Sequence, residues 1–280
     1  MGSDQGIDTS RRPKLEARHL RKEFGTGEEK VLAIQDINFT VRDNEFCVIV
    51  GPSGCGKSTL LYLVAGFEKP TAGEILLDGK RIEGPGPDRG FVFQEFALYP
   101  WKTVLANVSF GLEIQGVDKK EARRRAQEYV KIIGLSGFEN AYPHTLSGGM
   151  KQRVGIARAL AYDPEILLMD EPFGSLDAQT KKLMQTELLR VWAKTRKTVL
   201  YVTHSVVEAT YLADRVIVLT ARPSKVKGIV EVDLPRPRSY TDDDYLDVRE
   251  RILRLLDEEV AKAFESETTQ PGRAQGGPPT

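Results

Sequence analysis

The chain has 280 residues, of which 40% are hydrophobic and 29% charged. That excludes a disordered polypeptide and supplies a sizeable core, in one large or two closely joined domains. Lys and Arg number 40, as do Asp and Glu, so formal net charge is zero and the basic excess of a nucleic-acid binder is missing. The longest uncharged runs, Phe46–Gly56 and Asn140–Met150, have 11 residues each, too short for a membrane-spanning helix. The opening MGSDQGIDTSRRPK lacks an apolar h-region, so no secretory signal is expected. Cys47 and Cys55, the only cysteines, have neither metal spacing nor a disulfide framework. A soluble cytoplasmic protein is predicted.

In chain order, residues 1–13 are polar and predicted to be flexible. The pieces LEARHL, VLAI and INFTV read as short strands, with Ile37, Phe39 and Val41 alternating as on a half-buried strand. Phe46–Val50 is a continuous apolar run, typical of a strand buried on both faces. A glycine-rich loop and an apolar helix, Ser58–Ala65, follow. Glu74–Leu77 and Lys80–Ile82 flank Asp78-Gly79, a hairpin signal. Phe91–Phe93 reads as another buried strand. Asp118 with Glu121 fits a capping box, after which Ala122, Ala126, Tyr129, Val130 and Ile133 share a helical face that Gly134 can end. Arg123, Arg124 and Arg125 read as its solvated side. Ile166–Asp170, Val199–Thr203 and Val216–Leu219 read as buried strands, with the helix Ala178–Lys194 between the first two. Strands alternating with helices predict a parallel α/β sheet. Residues 241–264 are expected to carry a C-terminal helix, and 265–280 a disordered tail.

The loop Gly51-Pro52-Ser53-Gly54-Cys55-Gly56-Lys57-Ser58 matches G-x-x-x-x-G-K-[ST]. A chance match in a chain this long is roughly a one-in-a-hundred event, and the flanking strand and helix tighten it further. Glycines let backbone N–H groups approach phosphate oxygens, and the helix start adds its positive end. Lys57 would reach the β- and γ-phosphates of ATP, and Ser58 would offer its hydroxyl to Mg²⁺. Cys55 reads as a small filler whose backbone matters, placed where a thiol reagent could block ATP, with no redox role. A second element, Ile166-Leu167-Leu168-Met169-Asp170-Glu171, puts Asp170 at a strand end, suited to Mg²⁺, with Glu171 next to it to deprotonate an attacking water.

Leu146-Ser147-Gly148-Gly149-Met150 sets this chain apart from other proteins with such loops, because it resembles the LSGGQ signature of the ABC ATPase family. The resemblance covers about residues 14–240. Phe24 resembles the A-loop aromatic that stacks on adenine, and Thr59 falls with the phosphate-loop residues that bind ATP. Gln94 resembles the Q-loop glutamine that touches Mg²⁺ and the attacking water. Ser175-Leu176-Asp177 resembles the D-loop, and His204 the H-switch that contacts the γ-phosphate. His19 is read as structural, and His144 as near a dimer interface but not catalytic.

What the resemblance implies is a P-loop NTPase, a RecA-like α/β core with an antiparallel β subdomain and an inserted helical subdomain at about residues 96–160. It also implies a head-to-tail dimer with each ATP between one phosphate loop and the partner's Ser147–Met150. That dimer would drive separate transmembrane permease subunits from the cytoplasmic face of the membrane, with a periplasmic or lipid-anchored solute-binding protein indirectly involved. Gly-Gly-Met, the run Glu171–Asp177 and Ala221-Arg222-Pro223 resemble the nitrate/sulfonate/taurine importer group. Ser205 stands where that group commonly has Asp, and Ser224-Lys225-Val226 where it usually has a glycine, so the cargo stays open. A soluble family member acting on nucleic acid or ribosomes is the alternative. The 90 residues from Lys57 to Ser147 hold no heptad run, and there is one cassette, not two. A small-molecule kinase would leave the signature unexplained.

Overall fold

The computed structural model of the chain describes residues 13–25, 27 and 30–268. The strands are β1 (Pro13–Phe24), β2 (Val31–Arg42), β3 (Phe46–Val50), β4 (Ala72–Leu77), β5 (Lys80–Arg81), β6 (Arg89–Val92), β7 (Ile166–Asp170), β8 (Thr198–Thr203), β9 (Arg215–Leu219) and β10 (Ser224–Glu231). The helices are α1 (Lys57–Ala65), α2 (Val104–Ile114), α3 (Lys119–Ile132), α4 (Gly148–Ala161), α5 (Ala178–Thr195), α6 (Val206–Leu212) and α7 (Asp243–Thr268). One sheet joins all ten strands in the order β5-β4-β1-β2-β10-β9-β3-β8-β7-β6.

The sheet has two characters. β5, β4, β1 and β2 pair antiparallel, whereas β9, β3, β8, β7 and β6 run parallel. β10 joins the sections, antiparallel to β9 and briefly parallel to β2. The parallel strands are buried on both faces, which is why they read as unbroken apolar runs. Phe46, Val48 and Val50 enter one core with α2 to α7, while Cys47 and Ile49 enter the other with α1 and the antiparallel strands. This is the expected core with its antiparallel extension. Between β6 and β7 the chain inserts α2, α3 and α4, which pack on one another.

Several elements differ from expectation. VLAI and INFTV are one strand, β2, whose polar middle at Gln35 and Asp36 stays off the core. α4 starts where the signature predicts a helix start, since Ser147 caps it and the two glycines form its first turn. The capping box at Asp118 is half formed. Asp118 accepts from Lys120 and Glu121 amides, but Glu121 turns to Arg124 and Arg125, which hold its carboxyl down at about 2. α7 continues to Thr268, so the tail expected from residue 265 begins inside a helix, anchored upstream by buried Tyr245, Val248, Ile252 and Leu256. The flexible start expected for residues 1–13 meets β1 at Pro13. Residues 1–12 and 269–280 lie outside the described residues.

Candidate nucleotide site

Parallel strands bring their C-terminal ends to one edge. In this sheet Val50 lies opposite Thr203, Asp170 opposite Val202, and Val92 opposite Met169. The residues just past those ends are Gly51, His204, Glu171 and, after Phe93, Gln94. Open α/β sheets bind ligands at that edge.

The phosphate loop wraps the start of α1. Its N-cap, Gly56, has φ 102°, a left-handed conformation that glycine adopts without steric cost, and no side chain caps the helix. Lys57 is only 6% exposed, and its ammonium donates to the carbonyls of Gly51 (3.1 Å) and Pro52 (2.9 Å). The cation is therefore held inside the loop, with oxygen partners that a phosphate can replace. Ser53 and Gly54 are exposed at the tip, while Ser58 and Thr59 are half-buried in the first turn. Cys55 corrects the expectation of a reactive thiol. It is buried, and burial pushes its thiol up, so the thiolate a reagent needs is suppressed.

The Ser58 hydroxyl donates to Asp170 Oδ1 at 3.0 Å, which brings the two expected cation ligands together. Burial raises the Asp170 carboxyl above its ordinary range, the Ser58 hydrogen bond pulls it back, neighbouring Glu171 raises it and Lys57 lowers it. Among the described residues no three His, Cys, Asp or Glu side chains gather. One hydroxyl and one carboxylate suit Mg²⁺, which takes its other oxygens from phosphate and water.

Glu171 follows with φ 40°, strained for a residue with a side chain, and its amide donates to Val202 O at 3.0 Å. Its carboxylate lies 2.7 Å from His204 Nδ1. Gln94 Nε2 is 3.5 Å from where a Cβ of Gly174 would stand. Phe24 ends β1, 38% exposed, with the Lys22 ammonium 4.7 Å from its ring centroid, and no described contact links it to the phosphate loop.

The signature stands elsewhere. Ser147 Oγ accepts from the Met150 amide at 3.3 Å. A cleft of about 770 Å³ is lined by Ser147, Gly148, Gly149 and Met150 together with Ser175, Leu176 and Asp177, and by no residue of the phosphate loop. Asp177 caps α5 through the amides of Gln179 and Thr180, contacts that hold its carboxyl below the usual range. A second cleft of about 750 Å³ runs from Gln94 to Pro100 and shares Ser175 with the first. His144 lines it, stacked on Tyr142. His19 lies on the surface of the antiparallel strands beside Asp36.

Two features escaped the sequence reading. Ser205 caps α6 by accepting from the Glu208 amide at 3.3 Å, so Ser does the work an Asp would do there. The pattern Ser205-Val206-Val207-Glu208 is the capping signal already applied at Asp118. Gln152, on α4, is buried with neither amide atom partnered among the described residues, and nothing local in the sequence marks it.

The ABC transporter family model matches residues 34–174. The uncharacterized ABC transporter ATP-binding protein MJ0412 of Methanocaldococcus jannaschii is 55% identical over 251 residues, 90% of this chain and 94% of the relative. The aliphatic sulfonates import ATP-binding protein SsuB of Bacillus licheniformis is 43% identical over 90% of this chain and 97% of its own length. The nitrate import ATP-binding protein NrtD of Synechocystis is 49% identical over 79% and 83%. A dimeric structure of a post-hydrolysis state of the ATP-binding cassette MJ0796 bound to ADP and Pi superimposes with TM-score 0.68 at 34% identity, covering 79% of this chain and all of that one. With its nucleotide loop, its signature helix and these relatives in agreement, the chain belongs to the ABC transporter family, as an ATP-binding subunit with ATPase activity.

Proposed function

We propose that the chain is the motor of an importer, working as a head-to-tail pair of copies on separate permease subunits at the cytoplasmic face of the membrane. Its cargo would be a small molecule of the nitrate, sulfonate or taurine kind, delivered by a solute-binding protein. The observation that carries the paired reading is the separation of Ser147–Met150 from the phosphate loop, each on its own surface. A helix start with free N–H groups facing an open cleft lacks only a phosphate, which a second copy would bring. The solved MJ0796 cassettes are dimers, and the SsuB and NrtD relatives serve import. No helix of the described residues is long and apolar enough to cross a membrane, consistent with a separate permease.

In this reading Phe24 stacks on adenine, the N–H groups of residues 51–59 cradle the phosphates, and Lys57 exchanges its two carbonyls for β- and γ-oxygens. Ser58, Asp170 and Gln94 hold Mg²⁺, whose charge, when bound, screens the phosphate oxygens. Glu171 takes the proton of the attacking water. His204, already 2.7 Å from Glu171, orients that carboxylate and contacts the γ-phosphate. The partner's Ser147, Gly148 and Gly149 close the site, with Ser175, Leu176 and Asp177 beside them.

Glu171→Gln keeps shape and hydrogen bonding but cannot accept the proton. It should bind Mg-ATP without turnover, and light scattering should show an ATP-dependent shift from monomer to dimer, absent with ADP. Adding Ser147→Arg should abolish the dimer and leave ATP binding to the monomer. A double variant that still dimerises with ATP refutes the sandwich, and one that no longer binds ATP puts Ser147 in its own subunit's site.

A further inference from the structure

Beside the catalytic edge lies a buried carboxylate with no part in the reading above. Glu208, in the first turn of α6, is 3% exposed. Its Oε2 accepts hydrogen bonds from the hydroxyls of Tyr201 (3.0 Å) and Thr203 (2.8 Å). The Thr203 oxygen in turn accepts from the Ser205 amide at 3.0 Å. In an ordinary capping box the glutamate would bond that amide itself. Here Thr203 stands between them, so both neighbours of His204 are tied to one carboxylate.

The other oxygen faces α5. Glu208 Oε1 lies 3.5 Å from Lys181 Nζ. Lys181 stands in the first turn of α5, its amide bonded to the Asp177 carbonyl at 2.8 Å. An uncompensated buried carboxylate is costly, and this lysine is its charged partner. The contacts thus run without a gap from Asp177 through Lys181 and Glu208 to the peptide groups flanking His204.

We infer that Glu208 is a positioning residue: it fixes the backbone on both sides of His204 and, through Lys181, links that histidine's setting to the segment Ser175–Asp177. The inference rests on the reading of His204 as a contact of the γ-phosphate.

The test uses the full chain, whose histidines number three, so that the His204 imidazole is readily resolved by nitrogen NMR. In Glu208→Ala the His204 signal should move while those of His19 and His144 stay. Turnover should fall about tenfold with the KM for ATP within about twofold, a loss of positioning and not of binding. Glu208→Gln, which can still accept both hydroxyls, should restore most of the turnover. Lys181→Met should move the same signal less. Thr203→Val removes the bridging hydroxyl at constant shape and should reproduce the alanine result should Glu208→Ala not fold. His204→Ala is the reference. Normal turnover in it removes the histidine from the mechanism and this inference with it. Slow turnover in it, with an unmoved His204 signal and normal kcat in the Glu208 and Thr203 variants, overturns the role of Glu208 alone. Movement of all three histidine signals means general loosening and overturns it too.

Discussion

The chain has two glycine-rich helix starts, and they are built on opposite principles. At α1 the cap residue, Gly56, has φ 102°, and the buried Lys57 fills the loop with its own cation. At α4 the cap is Ser147 in extended backbone, bonded to its own helix, and neither Gly148 nor Gly149 has positive φ. Glycine meets no conformational demand there, only a close fit to neighbouring side chains. A Cβ on Gly148 would stand 3.3 Å from Leu176, and one on Gly149 3.4 Å from Thr180 and Met184. The first loop is a cradle with a conformational demand and an internal charge. The second is a plain helix start with a serine cap and no charge of its own.

The largest effect that tests this contrast is expected at Lys57. Lys57→Ala removes the charge of the cradle, and hydrolysis should fall by about 10² to 10³ with most nucleotide affinity lost. Phosphate release and nucleotide titration measure it, and normal turnover would mean the loop binds through its backbone alone.

Asp170→Asn comes next. Phosphate release in Mg²⁺ should fall about 10²-fold if this carboxylate holds the cation. Stability should move the other way. Because the folded carboxyl titrates above its unfolded value, its ionised form costs stability. That cost is absent below the unfolded value, near 3.8, grows as pH rises through the folded one, and is complete above it. Without nucleotide, Asp170→Asn should therefore match the wild-type melting temperature in acid and exceed it at neutral pH. An equal difference at both pH values would show that burial of this charge is not what the substitution relieves.

The smallest effects separate the two glycines directly. Gly56→Ala forces a side chain into left-handed backbone and should cost about 1–2 kcal/mol in denaturant unfolding. Gly149→Ala sits in ordinary helical backbone and should leave stability within about 0.5 kcal/mol. In the Glu171→Gln background the alanine at 149 should nevertheless weaken ATP-driven dimerisation about tenfold, since it occupies the approach surface. Equal stability losses at the two positions would erase the distinction.

How far the sequence could be read follows from the range of the forces involved. The buried strands, the turn at Asp78-Gly79, the phosphate loop and Asp170 were legible because each depends on residues within a few positions. The start of α4 was legible as well, because Ser147 caps the two glycines that follow it directly. β10, which stitches the two sections together, was missed because its mixed pattern is set by partners in β2 and β9. The signature's position was legible as motif and order, but its distance from the phosphate loop in one copy belongs to the tertiary structure. Glu208 lay within reach of the capping pattern, yet its bonds to Tyr201, Thr203 and Lys181 could not be foreseen.

The order of strands has a mechanical consequence for the two loops that flank Glu171. β8, which carries His204, is clamped between β3 and β7, so that histidine is mounted on the rigid frame of the machine. β6, which leads to Gln94, is the last strand of the sheet and is held by β7 alone. Past Gln94 no ladder of hydrogen bonds continues, and the chain enters the segment that carries α2 to α4. The helical insert therefore hangs on the free edge of the sheet through the Gln94 connection, tied to it by packed side chains and not by strand pairing, as a bracket is screwed and not welded to a plate.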